Sequence, residues 1–111
     1  MIFEIPLKAS DTVDDDFTID VELDGATFTL EFSYSERSQL WYVSIFLRTD
    51  TAPVPILTGR AVTANYPWLI GCTHESRPVG ELSVESDRDP GRDELGTYAK
   101  LFYFDAEELG R

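Results

Sequence analysis

The sequence predicts an all-β fold, a small antiparallel sandwich or barrel of six to seven strands with at most a short helical turn. Three observations carry that expectation. Residues 17–23 and 26–34 alternate apolar and polar side chains, which puts every apolar group of each run on one face of a pleated strand. Between them stands Asp24-Gly25, a strong hairpin signal because a type I′ turn needs φ > 0 at both central residues. A third run, residues 40–47, is apolar at nearly every position and reads as a strand covered on both sides.

The remaining elements follow in order. Residues 2–7 alternate through Phe3, Ile5 and Leu7 and form an opening strand, with neither the basic start nor the cleavage site of a signal peptide. Residues 8–16 are polar, end in three aspartates and read as a solvated loop. The five polar residues 35–39 suit a hairpin connection. Residues 54–58 form a short strand that Pro53 and Pro55 confine to an edge, and Gly59-Arg60 breaks it. Pro67 discourages helix at Tyr66, leaving room for one helical turn near residues 62–65, with 68–70 extended. Residues 80–85 alternate as a further strand, 86–96 form an acidic loop, and 97–105 close the chain as an aromatic-rich strand inside a sheet.

Length and composition bound the rest. With 111 residues, 42% of them hydrophobic, the chain holds a single core, so residues 1–111 are read as one β domain. No run of 18 apolar residues exists, so no membrane-spanning helix is expected. A formal net charge of −12 repels phosphate backbones and argues against nucleic acid as the primary ligand. It allows docking onto a basic partner. Cys72 is the lone cysteine, so no internal disulfide staples the fold.

The residue types of catalysis are sparse. His74 is the single histidine and stands two residues from Cys72, too close for a nucleophile–base pair without a sharp turn. There is no four-ligand Cys/His cluster and no phosphate-binding glycine loop. Asp87, Asp89 and Asp93 are spaced as a Ca²⁺ loop could use them, but Pro90-Gly91 breaks the order and Tyr98 stands at the twelfth position. Arg88 and Arg92 dilute the charge further. The expectation is therefore no enzyme, no cofactor and no metal. The aromatics exceed what one small inner face readily holds, which marks Trp41, Tyr42, Tyr66, Trp68 and Tyr103 as candidate interface residues. A different class remains open, a small β-sandwich ligand- or carbohydrate-binding module stacking its ligand on Trp41, Tyr66 and Trp68.

The order of motifs carries a resemblance. Residues 1–7 have the form Met-Ile-x-Glu-Ile-Pro-Leu; Leu23-Asp24-Gly25 and Trp41-Tyr42 follow, then Leu57-Thr58-Gly59 and Gly80-Glu81-Leu82. Asp93-Glu94-Leu95-Gly96 leads into Leu101-Phe102-Tyr103-Phe104-Asp105. In that order the chain resembles the baseplate plug proteins of contractile-tailed cyanophages over essentially its whole length. One departure is Arg60-Ala61-Val62-Thr63, where the family has a Pro-Gly-Val-Asp-like turn. The resemblance implies a non-enzymatic virion component at the tail baseplate, made in the host cytoplasm. Its implied partners are tail tube, hub and spike proteins, within a symmetric homo-oligomeric ring and away from any membrane.

Overall fold

A computed structural model describes residues 2–7, 16–91, 94–96 and 99–110. Its seven strands are β1 (Ile2–Ile5), β2 (Asp16–Leu23), β3 (Ala26–Ser35), β4 (Leu40–Leu47), β5 (Val54–Ala61), β6 (Glu81–Glu85) and β7 (Lys100–Phe104). They form two antiparallel sheets, one ordered β2-β3-β4-β5 and the other β1-β7-β6. The fold is all-β, and no helix occurs among the described residues.

The larger sheet is a meander whose register follows its hydrophobic pattern. Asp24 (φ 50°) and Gly25 (φ 85°) make the β2–β3 turn with both residues left-handed, as a type I′ hairpin requires. That turn sets Phe17, Ile19 and Val21 opposite Phe32, Leu30 and Phe28. Across the next ladder Phe28, Leu30, Phe32 and Tyr34 face Leu47, Ile45, Val43 and Trp41. A shift of one residue would expose the whole set, so burial itself holds the register. The other sheet turns Ile5, Leu82, Val84, Leu101 and Tyr103 inward, and the two inner faces share one hydrophobic cluster. As expected, β7 lies inside its sheet, between β1 and β6.

Three expectations need correction. The break at Gly59-Arg60 is a bulge instead: β5 runs on to Ala61, and Gly59 (φ 64°) absorbs the register shift while its N–H donates to Ser44 Oγ at 3.0 Å. Residues 62–65 hold no helical turn, within the expected limit of at most a short one. Ala64 bridges to Val84, and Asn65 takes a left-handed φ of 58° while its side-chain amide pairs with the Ser86 backbone, donating to the carbonyl and accepting from N–H. Residues 68–70 lie in a turn, closed by Cys72 N–H donating to Leu69 O at 2.9 Å. Finally, β4 is covered by the second sheet on its Trp41 face alone; Tyr42 and Phe46 are half-buried on the outer face. The loop of residues 8–15, and Arg92, Asp93, Thr97 and Tyr98, lie outside the described residues.

One side chain gathers several carbonyls of the segment between β5 and β6. Arg77 donates to the carbonyls of Leu69 (3.1 Å), Cys72 (3.1 Å), Pro78 (3.2 Å) and Gly80 (3.2 Å). A guanidinium suits this because its planar fork offers five donors at fixed angles. Carbonyls of an irregular segment thus gain partners that a strand ladder would otherwise supply.

Candidate interaction surface

The five aromatics singled out in the sequence divide into three interior and two surface residues. Trp41 projects inward from β4 beside Val43 and Ile45, since residues two apart share a strand face. Its ring meets Phe17 edge-on at 5.5 Å and Tyr34 at 5.3 Å, and Nε1 donates to Gly91 O at 3.0 Å. Trp68 is pinned by its own backbone N–H, which donates to Leu82 O at 2.9 Å, and packs edge-on against Phe32 at 6.0 Å. Its indole N–H is buried without a hydrogen-bond partner.

Tyr103 is fully buried and serves as a latch between the sheets. Its hydroxyl donates to Asp24 Oδ2 at 2.5 Å and accepts from the Gly80 N–H at 2.9 Å. Burial, and then the hydrogen bond given to a carboxylate, push the phenol pKa well above its ordinary value, because both disfavour the phenolate. Gly80 has no room for a side chain here: a Cβ would stand 2.1 Å from the Phe104 carbonyl oxygen and 2.6 Å from the Tyr103 hydroxyl. As contact residues for a partner, then, Trp41, Trp68 and Tyr103 are corrected to core residues. Two facing sheets give large aromatics more inner surface than one sheet suggests.

Tyr42 and Tyr66 remain at the surface. Tyr42 lies on the outer face of β4 opposite Ser33 and Ala61, with its hydroxyl 3.1 Å from Ser38 Oγ. Tyr66 is 46% exposed, and the Arg60 guanidinium sits 5.0 Å from its ring centre. Two open hollows meet at Gly59: one runs from Tyr42 and Ser44 toward Asp16, Thr18 and Glu31, the other toward Arg60, Thr63 and Tyr66. The β5 bulge therefore sits between the two surface tyrosines.

The residues weighed for chemistry are turned to the fold. Cys72 is half-buried with Sγ 3.8 Å from Ile56 O, and His74 Nδ1 accepts from Ser76 N–H at 3.0 Å. In the acidic loop, Asp89 Oδ1 accepts from Ala64 N–H at 2.7 Å. Glu94 accepts from Gly91 N–H at 2.8 Å and is ion-paired to Arg88; the Gly91 bond first, then Arg88, hold its carboxyl below the usual range. No group of three or more His, Cys, Asp or Glu side chains among the described residues is placed to hold a metal ion. Sequence reasoning missed the Arg77 hub, the Asp24–Tyr103 latch and the Asn65 pairing. Only the latch had a local signal: Tyr103 shares the parity of Leu101.

These features define a class: a two-sheet β domain whose described buried polar groups largely serve its own frame and whose surface hollows are open. The family model described as cyanophage baseplate Pam3 plug gp18 matches residues 2–107, and the chain belongs to that family. It is a family of phage baseplate structural proteins. No curated protein matches the sequence.

Proposed function

We propose that this chain is a structural subunit of a contractile phage tail, a baseplate plug near the tail axis that contacts tail tube and hub or spike. The family match over residues 2–107 carries the reading. The net charge of −12 opposes close packing of like subunits, with screening over ~8 Å at physiological salt. Acidic faces then point to basic partners or solvent, and a symmetric homo-oligomeric ring forms on the partner surface, not in free solution. The isolated chain is monomeric or weakly associated. The carbohydrate-binding alternative loses two of its three stacking rings, because Trp41 and Trp68 are about 1% exposed.

Mass spectrometry of purified virions tests the assignment. Presence at a copy number that is a multiple of three is expected, as are neighbouring genes for tail tube, hub and wedge proteins. Absence from virions overturns it.

A further inference from the structure

Among the described residues the two sheets have four edge strands, and a bare edge is a template for another strand. Three of the four are closed by recognisable devices. At β5, Pro53 just before the strand and Pro55 within it bring no N–H to the edge, and the bulge turns the Gly59 N–H back to Ser44. On β6, the carbonyls of Val84 and Leu82 are taken by the N–H groups of Asn65 (2.7 Å) and Trp68 (2.9 Å). β1 has four residues and is followed at once by Pro6.

β2 has none of these. It is eight residues long, with no proline, glycine or bulge, and its register with β3 is unbroken from Asp16 opposite Ser33 to Leu23 opposite Ala26. In a two-residue hairpin the pair flanking the turn is hydrogen-bonded, so Leu23, Val21, Ile19 and Phe17 direct their backbone groups to β3. The N–H and C=O groups of Asp16, Thr18, Asp20 and Glu22 therefore point away from the sheet. None of the loop and turn backbone bonds among the described residues reaches them. On the inner face, Phe17, Ile19 and Val21 stay only half-buried, as apolar side chains do where the next strand of a sheet is missing.

We propose that the β2 edge accepts an extended segment of a partner protein, antiparallel or parallel, with apolar residues alternating with lysine or arginine. Charge decides this occupant over a second copy. The outer positions of β2 carry Asp16, Asp20 and Glu22 and no base, so β2 laid against β2 sets like charges across the new ladder. Arg48, bonded to Asp20 at 2.6 Å, offsets one of the three. A basic strand instead meets opposite charge on the outer face and covers Phe17, Ile19 and Val21 on the inner face. Main-chain bonds give such an addition its affinity, and alternate side chains its specificity. The proposal rests on the assembly reading for its biological setting, but its test needs only the isolated chain, so the two fail separately.

The test is amide hydrogen exchange on the full chain, alone and with a capped octapeptide of alternating lysine and valine. In the free chain the amides of Thr18, Asp20 and Glu22 exchange fast; protection there means the edge is already occupied and overturns the proposal. With saturating peptide these three amides slow at least tenfold, and the effect weakens as salt is raised. A glutamate–valine octapeptide gives no protection. Thr18→Pro, which removes one outward N–H without touching the β3 ladder, abolishes the effect while far-UV circular dichroism is unchanged. Should that variant fail to fold, the Asp16→Lys, Glu22→Lys double variant decides: it reverses the preference to the acidic peptide. Equal protection by both peptides, or an undiminished response after charge reversal, overturns the proposal.

Discussion

Replacing Tyr103 by phenylalanine removes one oxygen and leaves the ring in place, so it isolates the latch between the sheets. Two losses follow. The hydrogen bond to the Asp24 carboxylate disappears, which costs about 1.5–3 kcal/mol for a bond to a charged group. The Gly80 N–H, which donates to the same oxygen in a buried setting, is left without that partner, at about 1–3 kcal/mol. Because the two losses share one oxygen, they do not add in full, and Tyr103→Phe should destabilise by about 2–4 kcal/mol at pH 7 in urea titrations. The pH dependence gives an independent check. The folded phenol pKa is raised, by burial first and by Asp24 second, so above the ordinary tyrosine value the unfolded chain releases a proton that the folded chain keeps. The contribution is complete below pH ~10 and falls as pH rises toward the folded value, by at most ~1.4 kcal/mol per pH unit. In Tyr103→Phe that component of the alkaline slope is absent. A loss under about 0.5 kcal/mol, far below the cost of a charged hydrogen bond, or identical alkaline slopes, would refute the latch.

Further outcomes are expected elsewhere in the core. Leu30→Ala, at a fully buried position between Ile19 and Ile45 in register, should cost about 2–5 kcal/mol; under about 1 kcal/mol in reversible denaturation would contradict its packing. Gly80→Ala drives a Cβ into the Phe104 carbonyl and the Tyr103 hydroxyl, so it should cost at least as much as Tyr103→Phe, and a neutral melting temperature would contradict the geometry. Trp41→Phe should cost more than Trp68→Phe by about 1–3 kcal/mol. The first loses the bond to Gly91 O, and the second removes an indole N–H already without a partner; equal losses would dismiss the distinction.

The parts of this fold legible in the sequence are those governed by near neighbours. Asp24-Gly25 sets its own turn, and that turn sets the β2–β3 register for eight pairs. Period-2 alternation then orients Phe28, Leu30 and Phe32 correctly. Residues 62–80 were not legible, because their path is fixed by Arg77 carbonyl contacts and by Asn65 pairing with Ser86, neither of which leaves a periodic trace. The same limit applied to the candidate surface. Trp41 could have been placed inside from its parity with Val43 and Ile45, whereas Trp68 follows an irregular segment and its burial depends on Leu82 and Phe32 across the core. Tyr42 and Tyr66, the two that reach the surface, lie on either side of a bulge that the sequence showed only as a glycine.

The pairing of β1 with β7 bears on how the chain acquires its shape during synthesis. Strands β2 to β5 pair with sequence neighbours, so their loops close cheaply and can close early. β1 instead pairs with a strand far along the sequence: Ile2 lies opposite Phe104, and Ile5 opposite Leu101. Until β7 is made, β1 and β6 lack the strand that joins them, and the sheet opposing Leu30 and Ile45 has no middle. Through that interval the acids along β2 set like charge against the same edge of a second chain.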